Sequence, residues 1–230
     1  MRGARHLAVG SIRHGAADLD YATQLGVGDA SVSVCNGCPC SADNALLGSG
    51  TTAADGHFSI PFHQFLSPTR QGAPICVQVT AAGYDATYDY FNDPADQPSL
   101  SIEDQLAPPV AFGIPLTTAA AQQGYYDAFG IPFDGGRSTA GAGVWDCIGS
   151  PAAGVDVSVN DADAGVFVVG STSDSPSTVQ ATGGRVTFLD VPAGSFTVTA
   201  ALPDGGKVVS QVQVNVAPST LTVFNLAPSP

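Results

Sequence analysis

Four cysteines are the residues of this sequence whose type and spacing could do chemistry. Three of them form the run C-x-x-C-x-C in "VSVCNGCPCSAD", and the fourth lies in "ICVQVT". Closely spaced thiols form disulfides, hold a soft metal ion such as zinc or copper(I), or exchange electrons as a redox motif. The four candidates are Cys35, Cys38, Cys40 and Cys76.

The disulfide interpretation follows from the strands on which the cysteines lie. In "SVSVC", Val32 and Val34 alternate with serines, which predicts a strand with one buried face. Cys35 then falls on the opposite face, and Cys76 does so by the same count in its own strand. The loop over 36–47 carries the other two cysteines and can double back over that outer face. We therefore predict a clasp that ties this loop to the strand of Cys76, together with a short second bridge.

The sequence leaves the pairing of the four cysteines open. Four cysteines allow three connectivities, and their spacing does not select one of them. A bond between Cys38 and Cys40 is the least favourable, because a single intervening residue strains the ring. The fifth cysteine, Cys147, shares the parity of Trp145 on a predicted opening strand, and we expect it to be a free, buried thiol.

A thiolate metal site is the alternative use of the same four cysteines. A strong zinc signal has a second close pair of ligands, and Cys76 stands alone. A thioredoxin-like redox role would need C-x-x-C to begin a helix after a strand, and the sequence shows no such pattern. We therefore favour disulfides, expect no cofactor, and keep metal binding by this cluster as the alternative.

Catalytic patterns are missing from the sequence. A metallopeptidase needs His-x-x-Glu, but in "HQFL" Leu66 stands where the glutamate should follow His63. The chain has no Gly-x-Ser-x-Gly nucleophile elbow, and "GGRSTAGAG" lacks the lysine of a phosphate-binding loop. We therefore predict that the chain is not an enzyme.

One stretch of aromatic and acidic residues could contact a ligand. "YDATYDYF" places two tyrosines on one face of a predicted strand, with acidic residues around them. An ordinary outward strand face has the same pattern, so the ligand interpretation has a plain structural alternative. We name Tyr88 and Tyr90 as the candidate ligand surface.

Charge and composition limit the partners and the fold. Seven Lys and Arg residues against 20 Asp and Glu give a net charge of −13, which excludes binding to nucleic acid. No apolar run is long enough to predict a membrane-spanning helix. The 27 glycines and 17 prolines favour short strands and tight turns over long helices. Chains with clustered cysteines are more often exported, so we expect an extracellular or cell-envelope location although no signal sequence is visible.

The strand patterns occur twice in one order. An opening strand ("LAVGSIRH"; "AGVWDCIG") precedes an alternating strand ("DASVSVC"; "GVDVSVN"), a turn and further alternating strands. Asp55 and Gly56 are the turn residues of a two-residue hairpin. This order predicts an all-β Greek-key sandwich made twice. Between the copies, the sequence predicts a short helix over Ala119–Ala128, followed by the helix breaker Gly130.

These motifs resemble those of the carboxypeptidase regulatory-like domain. "TTAADGHFSI" with "APICVQVTAAGYDATY" is similar to its Thr-Asp-x-x-Gly-x-Phe turn and to its apolar strand ending in Ala-x-Gly-Tyr. "GRVTFLDVPAGSFTVTA" is similar to its Phe-x-x-Val-Pro-x-Gly-x-Phe portion. The resemblance implies two tandem transthyretin-like β-sandwiches of a carbohydrate-binding-like fold, each of about seven strands. They would span 5–117 and 138–230, joined by a short, partly helical linker over 118–137.

The same resemblance implies a non-catalytic module with a structural or binding role. Domains of this broad fold are sometimes binding modules for carbohydrate or protein. The expected partner is therefore an unidentified protein or polysaccharide, and we expect the chain to be a monomer. The alternative function is a thiolate metal-binding protein that uses the cysteine cluster.

Overall fold

The computed structural model consists mainly of short β-strands, with one helix among the residues that it describes. The chain divides into two compact units, Met1–Phe129 and Gly130–Pro230. This division falls inside the expected linker 118–137, and the expected domain limits stay a prediction. The structure describes residues 4–14, 26–41, 46–64, 75–91, 113–146, 150–152, 154–159, 167–168, 178–180, 184–203 and 206–228.

The described residues of the first unit form two sheets. Its strands are β1 (Ala4–His14), β2 (Ser31–Cys35), β3 (Leu46–Thr51), β4 (His57–Gln64), β5 (Ile75–Thr80), β6 (Ala86–Phe91) and β7 (Gly113–Leu116). In one sheet, β1 lies between β4, to which it is antiparallel, and β7, to which it is parallel. The other sheet has the order β6-β5-β2-β3, and each pair of neighbours is antiparallel.

The core of the first unit lies between these two sheets. Val32 and Val34 of β2 are buried, whereas Ser31 and Ser33, which alternate with them, are not. The core cluster combines side chains of β2 and β5 with side chains of β4 and β7, so both sheets contribute one face. Each large aliphatic side chain buried there stabilises the fold by about 1.5–3 kcal/mol. The cluster consists of Ala30, Val32, Val34, Phe58, Ile60, Ile75, Val77, Val79, Ile114 and Leu116.

The turn at 52–56 joins the two sheets instead of forming a hairpin. The backbone N–H of Ala53 donates to the His57 carbonyl, and that of Gly56 donates to the Ala53 carbonyl, each at 2.8 Å. Gly56 has a φ of 83°, a value that glycine adopts without strain. However, β3 pairs with β2, whereas β4 pairs with β1. The hairpin predicted at Asp55 and Gly56 is therefore wrong, because turn residues reverse the chain without deciding which strands pair.

The helix of the first unit, α1 (Ala119–Ala128), has the bounds that the sequence predicts. Thr118 caps its first turn, where the Thr118 hydroxyl accepts a hydrogen bond of 3.2 Å from a backbone N–H. Gln122 and Tyr126 lie four residues apart on one helix face, and both are buried. The Gln122 side-chain amide donates to Asp85 Oδ2 at 3.1 Å, so α1 is anchored to the residue that precedes β6. Within the described part of the chain, no helix has the length and apolar character needed to cross a membrane.

Two sheets are also present in the described part of the second unit. Its strands are β8 (Arg137–Val144), β9 (Asp156–Val159), β10 (Phe167–Val168), β11 (Thr178–Gln180), β12 (Arg185–Pro192), β13 (Gly194–Ala201), β14 (Val208–Val216) and β15 (Thr220–Leu226). One sheet has the order β10-β12-β8-β15, and the other has the order β11-β9-β13-β14. Phe224 of β15 contacts Phe196 of β13 edge to face, with ring centroids 6.4 Å apart, so the core again lies between the sheets.

The strand orders of the two units correspond. The first strand of each unit, β1 or β8, is parallel to its last strand, β7 or β15, and antiparallel to β4 or β12. The opening strand of the second unit ends at Val144, earlier than the sequence suggests. Trp145 therefore lies beyond the strand, and Cys147 lies outside the described residues. Its predicted state as a free, buried thiol stays a prediction.

Candidate functional site

The four clustered cysteines form two disulfides. Cys35 is bonded to Cys40, and Cys38 is bonded to Cys76. The Cα atoms of each pair are 5.7 Å apart, an ordinary separation for a disulfide. The first bond closes a short loop, and the second ties that loop to β5 across 38 positions of the chain. We call the loop 36–41 with its two disulfides the clasp.

The clasp lies on the sheet face that points away from the core. Val34 and Val77 belong to the core cluster, and successive side chains of a strand point to opposite faces. Cys35 and Cys76 therefore point outward. They are also direct partners in the β2–β5 ladder, although they are not bonded to each other. Each is bonded instead to a cysteine of the loop.

Hydrogen bonds hold the loop against this outer face. The backbone N–H of Cys40 donates to Gln78 Oε1 at 2.8 Å, and the Tyr90 hydroxyl donates to the Cys38 carbonyl oxygen at 3.2 Å. Gln78 lies two residues from Cys76 on β5, and Tyr90 is the ladder partner of Cys76 on β6. Both side chains therefore share the face of the cysteines. The role of Gln78 is absent from the sequence prediction, although its parity with Cys76 was the signal that could have shown it.

The prediction that Tyr88 and Tyr90 form a ligand surface is wrong. Both tyrosines lie on the outward face of β6, but only 5% of Tyr88 and 1% of Tyr90 is exposed. The strand parity is as expected, yet the chain covers this face. Tyr90 is held beneath the clasp by its hydrogen bond to the loop. Neither ring is available to a ligand in this structure.

The bonding of the cysteines also decides between the two uses of the cluster. A zinc or copper(I) site requires free thiolates, and all four sulfur atoms are engaged in disulfides. In the described ranges, no group of three or more His, Cys, Asp or Glu side chains is placed to hold a metal ion. In this state the clasp is a covalent tie.

The opposite face of β6 carries a buried carboxyl group. Asp89 is the ladder partner of the core residue Val77, so its side chain points towards the core. Only 9% of Asp89 is exposed, and burial raises the pKa of its carboxyl to about 7. Thr87 on the same face satisfies its hydroxyl by donating to the Pro115 carbonyl at 2.7 Å. Asp89 therefore changes charge near neutral pH, within a largely apolar layer.

A second carboxyl, that of Asp85 just before β6, also has a raised pKa. Partial burial raises the pKa of Asp85, and the hydrogen bond from Gln122 opposes that shift. The backbone N–H of Asp85 donates to the Thr117 carbonyl at 2.8 Å. Asp85 therefore joins β6 to the start of α1 and has no arrangement of catalytic partners around it among the described residues.

Comparisons with known proteins give only weak similarities. No family model and no curated protein matches the chain. The shaft pilin SpaA of Lactobacillus rhamnosus GG is 10% identical with a TM-score of 0.30, covering 100% of this chain and 99% of the pilin. GBS52, the minor pilin of Streptococcus agalactiae, is 11% identical with a TM-score of 0.30, covering 98% and 97%. The TIE protein of Bacillus anthracis is 9% identical with a TM-score of 0.28, and this chain spans only 35% of its length. These similarities assign neither a family nor a function.

Proposed function

We propose that this chain is a non-catalytic module of the extracellular space or cell envelope, with a structural or binding role. The clasp is the observation that carries the proposal. Disulfides form and persist in oxidising compartments, and they are rare where cellular reductants keep thiols reduced. The two disulfides lie within 42 residues, and three of their four cysteines are fully buried. This arrangement fits a chain that matures outside the cytoplasm.

The clasp supports a structural role because of where it ties the chain. Cys38–Cys76 joins the loop after β2 to the neighbouring strand β5, so β2 and β5 cannot separate far while the bond is intact. Crosslinks of this kind stabilise a fold mainly by restricting the unfolded chain. A domain exposed outside the cell gains from this restriction, since it cannot rely on intracellular chaperones.

Two tandem transthyretin-like sandwiches are the architecture that we propose for the module. The corresponding strand orders of the two units support this architecture. The turn between β5 and β6 supports the carboxypeptidase regulatory-like resemblance, since Gly83 has a φ of 83° and Tyr84 donates to the Ala81 carbonyl at 3.2 Å. This is the position of the Gly-Tyr element of that family.

The charge of the chain restricts the partner. A net charge of −13 disfavours polyanions, so we propose a protein or polysaccharide partner and exclude nucleic acid. The tyrosines of β6 are buried and do not provide its contact surface. We propose a monomer as the state in which the module functions.

Cell fractionation combined with thiol trapping tests the proposal. An antibody against the chain should label intact, unpermeabilised cells that make the protein, or should detect the protein in their culture medium. Acid quenching followed by alkylation should find the four clasp cysteines protected until a reductant is added. Detection only after lysis, with all clasp thiols reactive at once, would contradict the proposal. A cytoplasmic marker protein, labelled only after lysis, is the control for cell integrity.

A further inference from the structure

The two cysteines that lie directly opposite each other on neighbouring strands are not bonded to each other. Cys35 and Cys76 occupy the same register position of β2 and β5 and share the outer face. The Cα atoms of directly opposed residues in antiparallel strands are about 4.5–5.5 Å apart. That interval lies within the range of about 4.4–6.8 Å that a disulfide spans. A Cys35–Cys76 bond therefore fits the strands as they stand.

The four sulfur-bearing residues differ in their access to solvent. Cys35, Cys38 and Cys76 are each 0% exposed, whereas Cys40 is partly exposed. Thiol–disulfide exchange begins with attack of a thiolate on an accessible sulfur atom. Cys40 is therefore the one clasp cysteine with exposed surface. We take it as the residue that an external thiol reaches, and attack on its Sγ atom releases Cys35.

We propose that the clasp is an exchange site for an external dithiol, which converts the two loop disulfides into a single Cys35–Cys76 bond. The site takes a dithiol reductant as its co-reactant, and it needs no metal or other cofactor. The proposal goes beyond the structural role above and does not depend on it, because its chemistry can be tested on the purified chain.

The exchange proceeds in three balanced steps. An external thiolate attacks Cys40 Sγ, which breaks the Cys35–Cys40 bond, forms a mixed disulfide at Cys40 and releases Cys35 as a thiolate. The Cys35 thiolate attacks Cys76 Sγ, which forms Cys35–Cys76 and releases Cys38 as a thiolate. The second thiol of the external dithiol attacks the reductant's own sulfur in the mixed disulfide and releases Cys40. The dithiol is oxidised by two electrons, one protein disulfide is reduced, and the two protons of the dithiol end on Cys38 and Cys40.

The product differs from the starting state mainly in the loop. The bond between β2 and β5 becomes direct, so the sheet keeps a covalent tie while the loop 36–41 loses both of its crosslinks. Cys38 and Cys40 become a pair of thiols flanking Pro39. The hydrogen bonds with Gln78 and Tyr90 still hold the loop to the sheet.

Two variants, each lacking one cysteine of the clasp, test the central step in the full-length chain. In a Cys147→Ser background, Cys40→Ser leaves Cys35 as a free thiol opposite Cys76, which imitates the state after the first attack. Alkylation at low pH, followed by tandem mass spectrometry of proteolytic peptides, locates the free thiol. We expect most molecules to carry the label on Cys38 and a Cys35–Cys76 bond. A label found mainly on Cys35, with Cys38–Cys76 intact, would overturn the proposal.

Cys35→Ser in the same background is the matched control. It removes the attacking residue, so the label should stay on Cys40 and Cys38–Cys76 should remain intact. If Cys40→Ser fails to fold, the chain with all four clasp cysteines is treated instead with one equivalent of dithiothreitol at pH 8. The species with two clasp thiols should then contain Cys35–Cys76. Accumulation of a two-thiol species with Cys38–Cys76 and free Cys35 would sink the proposal.

Discussion

The Tyr90 hydroxyl donates a hydrogen bond to the Cys38 carbonyl oxygen, 3.2 Å away, across 52 positions of the chain. This contact joins β6 to the loop that covers the outer face of the β6-β5-β2-β3 sheet. The disulfide from Cys38 to Cys76 reaches the same sheet from the same residue. One residue of the loop is therefore held both covalently and by a buried tyrosine.

Tyr90→Phe should lower the free energy of unfolding by about 1 kcal/mol, because it removes this hydrogen bond and keeps the ring. Urea unfolding followed by circular dichroism measures the change. Tyr88→Phe is the control, since Tyr88 is a buried tyrosine on the same strand face. Equal effects of the two substitutions would show that the Tyr90 hydrogen bond does not contribute to holding the loop.

The two disulfides should differ in their effects on stability. The Cys38–Cys76 bond closes the longer loop, with a sequence separation of 38 against 5 for Cys35–Cys40. Chain entropy then predicts a loss of about 4 kcal/mol for Cys38→Ala with Cys76→Ala, and of about 2 kcal/mol for Cys35→Ala with Cys40→Ala. Urea unfolding of both double variants measures the difference. A larger loss from the short bridge would contradict the view that the bond to β5 is the main tie.

Asp89 should make the protein less stable as the pH rises from about 4 to about 7. The folded chain holds the Asp89 proton up to a pKa of about 7, whereas the unfolded chain releases it near 3.8. Between these values the unfolded state binds fewer protons, so stability falls by about 1.4 kcal/mol per pH unit and by about 4 kcal/mol in total. Asp89→Asn abolishes this loss.

Urea unfolding at several pH values between 4 and 8.5 checks the Asp89 prediction. The advantage of Asp89→Asn over the unchanged chain should grow from pH 4 to pH 7 and then stay constant. Asp127→Asn, at an exposed position of α1, is the matched control. Parallel stability curves for the unchanged chain and Asp89→Asn would show that the carboxyl is not buried as described.

The cap of α1 gives a prediction with a conservative partner. Thr118→Ala removes the hydroxyl that accepts from the first turn, and it should cost about 1 kcal/mol. Thr118→Ser keeps the hydroxyl and should cost much less. Thermal unfolding compares the two variants. Similar losses for alanine and serine would mean that the Thr118 methyl group, and not the cap, stabilises the helix.

Local patterns in the sequence predicted the elements better than the way they assemble. Alternation located β2, β5 and β13, and the stretch before the helix breaker Gly130 located α1, because these signals depend on neighbouring residues. The pairing partners of β3 and β4 were not predictable from their turn, since the choice of sheet depends on strands far along the chain.

For the site as well, the sequence predicted local features but not how they assemble. Strand parity placed Cys35, Cys76 and Tyr90 on an outer face, and that placement is found in the structure. Strand parity could not show that the chain covers this face, because that coverage depends on the tertiary structure. The ligand surface expected at Tyr88 and Tyr90 failed for this reason.

Disulfide mapping of the native protein tests the central claim most directly. Alkylation before reduction, followed by proteolysis and mass spectrometry, identifies each bonded pair, and native mass spectrometry reports any bound metal. We expect Cys35–Cys40 and Cys38–Cys76, with no metal and with four clasp thiols appearing only after reduction. A native mass that includes zinc or copper, with these thiols becoming reactive once a chelator removes the metal, would contradict both the clasp and the proposed function.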